Sequence, residues 1–476
     1  MDLSTTWTVC VLRLSSFFWR RKGYTIWRYI CSIRSSTLSY INCKSKRKSC
    51  LKGVNLGIIS VFVNAHISPK EITKNMKIAV VCDAHIFRTS RGEYWCTSVY
   101  GYHYFKRYMN VFEEVRVVSR VKEQEFPDNG KYLRVDGPNL EIHPVYFFRG
   151  PKEFLPNIGK VISTLKGFDT GCDVILYRIP STTAQMAYLL TRKAKVPKGI
   201  EVVYNLYDEL VDKTLSIPRK GISWLNHKCV KMACADQRVN GVSYVTKETL
   251  QRYYPSYCRM HGEDSLHFEN YYSTIQYKSR NISSTKLYME KKKWILIHVV
   301  VNIKNKVSGH ETIIRAVDIV RKKGYDVEAE FVGDGPMVPY FKEMATSLGI
   351  AEHIHFAGLF SSPDDVYREL RKADLFVYPV HFAGLPRVLI EAMGSGLPCI
   401  SSPVAGISEL IAEEDLVDAD DAVALATRII EVVSNPEYLE EQSKANIEKA
   451  KEYTDDKLQI RRDDFYRRLR ECIDHV

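Results

Sequence analysis

From Met76 onward, short apolar runs alternate with longer amphipathic stretches, and that alternation admits few folds. A brief apolar run suits a strand buried on both faces, and an amphipathic stretch suits a helix laid over it. Repeated βα units of this kind close into a mostly parallel sheet. Candidate strands fall at 78–82, 115–118, 174–177, 202–206 and 241–245, with helical stretches at 181–195 and 222–235. After Pro255 the pattern loosens into a polar, aromatic segment that ends at Lys291, Lys292 and Lys293 and reads as a connection. A second series follows, with strands at 294–301, 328–332, 353–356, 375–378, 398–400 and 415–417 and helices at 311–323, 336–348 and 386–393. An amphipathic, charge-rich helix over about 455–472 closes the chain. A chain of 476 residues exceeds what one core usually organises, so two α/β domains are expected, facing each other across a cleft.

The formal charge of +12 suggests a polyanion partner until its distribution is counted. Residues 1–75 hold 13 Lys/Arg against Asp2 and Glu71, a net of +11. The remaining chain has 68 − 13 = 55 bases and 56 − 2 = 54 acids, so the body is near neutral and no nucleic-acid partner is expected. No basic amphipathic helix stands out in that body. The first 75 residues lack sustained periodicity and an apolar run long enough to span a bilayer. A transit peptide and a basic patch on anionic lipid both suit their composition. The favoured reading is an extension outside the fold, because Met76, Lys77 and the apolar run after them make a natural start. The 12 cysteines form no CxxC pair, which favours a reducing, cytoplasmic setting over a disulfide framework and offers no zinc site.

Four segments of the second series carry chemistry. Gly333-Asp334-Gly335-Pro336 follows a strand and lets backbone approach closely. Gly384-Leu385-Pro386-Arg387 opens a helix whose amides and dipole suit a diphosphate, with Glu391 one turn later placed to accept ribose hydroxyls. Gly394-Ser395-Gly396-Leu397-Pro398-Cys399-Ile400 leads through a buried strand to Val404-Ala405-Gly406-Ile407-Ser408-Glu409. Asn302-Ile303-Lys304-Asn305-Lys306-Val307-Ser308-Gly309-His310 lies beyond the first strand, within reach of phosphates. Asp418-Ala419-Asp420 has the form of a metal signature but precedes a helix that acids would cap, so no metal is expected there.

In this order and spacing the four segments resemble the donor domain of the retaining glycosyltransferases of family 4, the bacterial polysaccharide-type glycosyl transferase group 1. The likeness runs from about Trp294 to Leu469, and Gly-Leu-Pro-Arg-Val-Leu-Ile-Glu-Ala-Met followed by Gly-Leu-Pro-Cys-Ile is its most specific part. The resemblance implies the GT-B architecture: residues 1–75 as an extension, 76–285 as an acceptor-side Rossmann-like domain, 286–454 as the nucleotide-sugar donor domain, and 455–476 as a return helix. It implies sugar transfer from a nucleotide sugar to a glycan or lipid-linked acceptor, with retention, without a metal or other cofactor, in the cytoplasm or at the cytoplasmic face of a membrane. Lys306, Arg387 and Tyr207 are then the candidate catalytic residues. Gly333, Gly335, Lys304, Ser308, Gly384, Leu385, Pro386 and Glu391 are the candidate donor-binding set. Three positions depart from the family pattern: Ala383 stands where a carboxylate is usual, Ser308 where Lys is usual, and Tyr207 where His is usual. These departures leave open an alternative, a non-catalytic GT-B protein that binds a nucleotide sugar or glycan and supports a partner enzyme.

Overall fold

The computed structural model describes residues 75–475 except 98, 126–131, 208–209, 211–215, 290, 361 and 382. The expectations for residues 1–74 therefore lie outside the described residues.

Nine strands make the first sheet: β1 (Lys77–Arg88), β2 (Tyr94–Cys96), β3 (Glu114–Glu123), β4 (Leu133–Arg134), β5 (Leu140–Tyr146), β6 (Val174–Ile179), β7 (Lys198–Val202), β8 (Gly241–Tyr244) and β9 (Phe268–Tyr271). Seven run parallel in the order β9-β8-β7-β6-β1-β3-β5. The pair β2 and β4 adds an antiparallel flap beside the far end of β1. Every residue of β6 is buried, as a strand covered on both faces requires. Two principal helices of this half are α1 (Thr182–Thr191), capped by Ser181 accepting from the Ala184 amide, and α2 (Ile217–Cys234).

The second sheet contains β10 (Lys293–Asn302), β11 (Asp326–Asp334), β12 (Ile354–Gly358), β13 (Leu375–Tyr378) and β14 (Cys399–Ser401), parallel in the order β12-β11-β10-β13-β14. Around it lie α3 (His310–Lys322), α4 (Val338–Ser347), α5 (Pro363–Lys372), α6 (Arg387–Gly394), α7 (Ala422–Val433) and α8 (Pro436–Lys451). In each sheet the strand order reverses beside the first strand, between β1 and β6 and between β10 and β13, and crevices for ligands form at the carboxyl ends of such pairs.

The closing helix α9 (Asp455–Glu471) crosses back to the first sheet. Its Phe465, Tyr466 and Leu469 are fully buried. Glycine makes room for them: a Cβ on Gly199 would lie 2.6 Å from Leu469 Cδ1, and one on Gly241 would lie 2.8 Å from Phe465 Cε2. Tyr466 donates to Glu201 at 2.7 Å, as does Tyr272 at 2.9 Å, and Arg178 pairs with the same buried carboxylate. Arg107 stands 3.9 Å away, donating to the Tyr104 and Tyr108 hydroxyls. Burial works against the Arg178 charge, but Tyr104, Tyr108 and Tyr100 more than offset it, and its pKa is raised.

Several elements differ from what the pattern predicts. The strand expected at 202–206 is β7, Lys198–Val202. Two charged residues disguise it: the Lys198 amine donates to Val196 and Ala194 carbonyls, and Glu201 is satisfied by the network above. The polar segment after Pro255 contains β9, which pairs along all of β8, so the connection between the sheets is shorter than expected. Residues 415–417 form no strand. A 3-10 turn (Glu413–Asp415) stands there, with a single bridge from Leu416 to Ser401. Asp421 caps α7 by accepting from the Val423 and Ala424 amides, while Asp420 meets His381 at 2.9 Å. Among the described residues no helix is long and apolar enough to cross a membrane.

Removing the Glu201 charge leaves two buried guanidiniums without a counter-ion. Glu201→Gln is expected to lower stability by about 3–5 kcal/mol, against about 1–3 kcal/mol for Tyr466→Phe, which loses one buried donor. Denaturant midpoints check the order, and equal losses would contradict it.

Candidate active site

The carboxyl ends of β10 and β13 define the crevice of the second domain, and each strand leads into a helix with no side-chain cap. The helix after β10, α3, is preceded by Gly309 in a left-handed conformation (φ 86°). The helix after β13, α6, is preceded by Pro386. Ser362, Asp421 and Asn435 cap α5, α7 and α8 through their side chains, whereas α4, away from this reversal, also starts without one. Two helix N-termini with uncapped amides therefore meet at one reversal point, and each contributes positive potential there.

The loops before these helices are pinned together. A Cβ on Gly309 would sit 2.5 Å from the Pro379 carbonyl oxygen, so only glycine permits that approach. His381 Nδ1 lies 3.0 Å from the Val307 carbonyl oxygen. Buried His298 spans the gap, with Nδ1 2.8 Å from the Val377 carbonyl oxygen and Nε2 2.8 Å from that of Ser308. A neutral imidazole donates through one nitrogen only. Burial lowers the His298 pKa to about 4, although both carbonyls pull it upward. Burial and the neighbouring His298 lower that of His310, in edge contact with it at 4.7 Å, to about 2.

The first domain closes onto this crevice. A Cβ on Gly384 would lie 3.1 Å from the Val203 carbonyl oxygen, in the loop that follows β7. Gly406 donates its amide to the Gly384 carbonyl at 3.0 Å and packs against Thr246. Beside them the Glu409 carboxylate accepts from the amides of Lys247, Glu248 and Thr249 at 2.6, 3.0 and 2.5 Å and from the Thr249 hydroxyl. That carboxylate, from the second domain, completes the turn before helix Thr249–Tyr253 of the first.

The candidate residues fall into distinct groups. Gly384, Leu385, Pro386 and Arg387 form the start of α6, with Arg387 exposed and Leu385 buried. Glu391 is half-buried one turn on; burial raises its pKa, opposed by Arg387 and a hydrogen bond from Tyr367. Ala383, buried beside them, brings no charge. Ser308 bonds within its own loop, to the Asn305 carbonyl at 3.2 Å and His310 Nδ1 at 3.0 Å, and Lys304 is exposed nearby. The Lys306 amine donates to the Tyr340 hydroxyl at 2.7 Å and lies 4.2 Å from the centre of that ring. Gly333 (φ 138°) and Gly335 approach protein backbone: a Cβ on Gly333 would collide with the Val300 carbonyl and one on Gly335 would lie 2.5 Å from that of Ile303. Tyr207 belongs to the first-domain loop beyond Val203 and stacks on Tyr253 at 4.9 Å. Sequence reasoning missed His298 and the role of Glu409. For His298 the one available signal was a lone polar residue inside an otherwise apolar strand.

Both buried histidines are neutral in the folded protein, whereas each ionises near 6.5 in an unfolded chain. Below pH 6.5 the unfolded state binds more protons, so their stability contribution is complete above that value and declines as pH falls toward 4. Between pH 6.5 and 5.0 each is expected to remove about 2 kcal/mol. Denaturant midpoints at the two pH values check this, with a shallower decline in His310→Phe.

Residues 280–452 match the family described as glycosyl transferases group 1. Protein CapJ of Staphylococcus aureus is 26% identical over 366 residues, which cover 75% of this chain and 87% of CapJ. Among solved structures, sucrose-phosphate synthase from Thermosynechococcus elongatus superposes with a TM-score of 0.58 at 13% identity, covering 83% of this chain and 100% of that one. HepE of Anabaena in complex with UDP and glucose superposes with a TM-score of 0.53 at 14% identity, covering 84% and 100%. Together with the two parallel sheets and the site between them, these findings make the chain a glycosyltransferase of the GT-B fold, with residues 280–452 as its glycosyl transferases group 1 domain.

Proposed function

We propose that the chain transfers a hexosyl group from a nucleoside diphosphate sugar to a glycan or lipid-linked acceptor in polysaccharide synthesis, with retention of configuration and without a metal ion. The observation that carries this reading is the pair of uncapped helix N-termini at the β10/β13 reversal, directly under the first-domain loop at Val203. Departure of a nucleoside diphosphate builds negative charge on its terminal phosphate. Each helix N-terminus presents about half a unit of positive charge, fixed before the reaction and needing no reorganisation. Arg387, on the first residue of α6, adds a full charge. With Ser308 supplying no charge from the phosphate loop, stabilisation of the leaving group falls on these groups. Glu391 follows on the same helix, placed to accept ribose hydroxyls. Tyr207, in the facing loop, lies on the acceptor side. The solved HepE complex with UDP and glucose gives this class of ligand a precedent on the same fold. The reaction is placed in the cytoplasm, at the membrane face where a lipid-linked acceptor is presented.

The test is a screen of UDP, GDP and their common sugars by thermal shift and donor hydrolysis, then transfer. One nucleotide sugar is expected to stabilise the protein and to be slowly hydrolysed, with chelator leaving the rate unchanged. Arg387→Ala is expected to lower kcat/KM about 10²–10³-fold, the loss typical of one preorganised charge partner. Glu391→Ala is expected to weaken nucleotide binding about tenfold or more, as for loss of a charged hydrogen bond. Stabilisation without hydrolysis or transfer would overturn the catalytic reading in favour of binding alone.

A further inference from the structure

The first sheet has a reversal of its own, between β1 and β6, and the groups gathered there differ from those of the second domain. β1 pairs with β6 only as far as Val81 and Tyr177, so the residues after Val81 stand beyond the paired ends. On its other side β1 leaves register with β3 between Val81 and His85, which sets Cys82, Asp83 and Ala84 opposite Ser119 alone. The Ser119 hydroxyl fills this bulge, 3.1 Å from the Cys82 carbonyl oxygen and 2.7 Å from that of Ala84. Bulges re-aim side chains at the rims of sheets. Here Cys82 and Ala84 are buried, whereas the Asp83 side chain is 41% exposed.

The Asp83 carboxylate is held at one oxygen and open at the other. Oδ1 lies 2.8 Å from the Arg120 guanidinium and accepts from the Thr183 hydroxyl at 3.2 Å. Oδ2 takes no hydrogen bond from the described residues. Arg120 is itself fixed, donating to the Phe148 carbonyl at 2.5 Å with its guanidinium 4.5 Å from the centre of that ring. His85 follows two residues along β1, ~7 Å away, half-buried and 5.3 Å from the centre of the Phe147 ring. Burial and Arg120 lower its pKa against the pull of Asp83, so the ring is neutral near pH 7. A neutral imidazole offers one donor and one acceptor. Neither nitrogen bonds to a described residue.

An open carboxylate oxygen beside a ring that both donates and accepts suits neighbouring hydroxyls, which do the same. A phosphate suits it poorly. The Arg120 charge is already met by Asp83, Asp83 repels an anion, and the Ser181 hydroxyl already takes the Ala184 amide at the start of α1. The crevice also adjoins the donor loop. Val203, whose carbonyl faces Gly384, donates its amide to the Ile179 carbonyl at the end of β6. β6 lies between β7 and β1, so two strand spacings, ~10 Å, separate Asp83 from the strand that leads to that loop. We propose that Asp83 and His85 determine acceptor specificity by binding neighbouring hydroxyls of a pyranose ring. Arg120 and Thr183 are positioning residues that turn the open carboxylate oxygen into the crevice. The assignment rests on the reading of a sugar-bearing acceptor.

The test uses the full chain and the methyl pyranosides of glucose, galactose and mannose, titrated by saturation-transfer NMR. At least one is expected to bind, and saturating UDP is expected to leave it bound. Asp83→Asn and His85→Phe are each expected to weaken that binding about tenfold, as for loss of a hydrogen bond to a charged or buried partner. His85→Phe is expected to keep the wild-type unfolding midpoint, so it reports even where Asp83→Asn, which leaves the Arg120 charge unmet, unfolds earlier. Among mono-deoxy analogues of the bound sugar, one is expected to bind the wild type about tenfold more weakly than its parent and to match its parent on Asp83→Asn. A carboxylate that only held the bulge would not give that pattern. No pyranoside bound by the wild type, displacement by UDP, or undiminished binding by either variant would overturn the proposal. If a pyranoside binds as expected but no donor is ever hydrolysed or transferred, the sugar subsite stands and the catalytic reading falls. Donor hydrolysis or transfer with no pyranoside bound leaves the catalytic reading standing and removes the subsite.

Discussion

The Glu201 carboxylate holds the first domain together at its least forgiving point. It lies inside the sheet, on β7, and is met by the Arg178 guanidinium from β6, the Tyr272 hydroxyl beyond β9 and the Tyr466 hydroxyl of α9. A buried ion is tolerated only when its remaining lone pairs are also satisfied. Here the carboxylate and its donors come from four separate parts of the chain, so the ion fixes their mutual positions as it is neutralised. Arg107 and its tyrosines, on the two short helical turns Tyr102–Lys106 and Arg107–Asn110, extend the same network. Removing any one donor leaves the rest inside a core that cannot hydrate them.

The second domain uses polarity differently. Its buried histidines lie beneath the reactive loops, and the neutral His298 ring sits between the Ser308 and Val377 carbonyls and donates to one of them. The contact of Gly309 with Pro379 and of His381 with the Val307 carbonyl limits how far the two helix N-termini can separate. Their distance matters because the potential of a helix end falls away within about a turn. Glu409 performs a related task between the domains, accepting from the Lys247, Glu248 and Thr249 amides of a first-domain turn whose own Thr246 hydroxyl takes only the Leu250 amide. The crevice is thus bounded by loops whose positions are fixed from beneath and from across.

Much of this was legible in the sequence where burial is two-sided. The apolar runs of β6, β10 and β13 could serve only as covered strands, and the glycine-proline opening of α6 marked a helix start on a ligand crevice. Legibility failed where a charged residue is satisfied by a distant partner. Lys198 and Glu201 shifted the expected strand from β7 to 202–206, and Phe268-Glu269-Asn270-Tyr271 did not look like a strand until β8 paired with it. Gly333 and Gly335 show another limit. The requirement for glycine was readable, but their close neighbour is the backbone of Val300 and Ile303, which sequence spacing does not reveal. Glu409 is separated from Thr249 by 160 residues, and nothing local to either one points to the other.

The return helix has a consequence for how the molecule is made. Tyr466 follows Tyr272, the preceding donor to the same carboxylate, by 466 − 272 = 194 residues, and at about 5–20 residues per second the ribosome needs roughly 10 to 39 s to cover that interval. Throughout that time the first domain has emerged with one of its carboxylate's donors still missing, and with the glycine-lined grooves at Gly199 and Gly241 open to any apolar segment nearby. The second domain, whose sheet is complete with β14 at Ser401, can fold before the first is sealed. Order of synthesis and order of completion are therefore opposed: the half of the protein that leaves the ribosome first is the last to close.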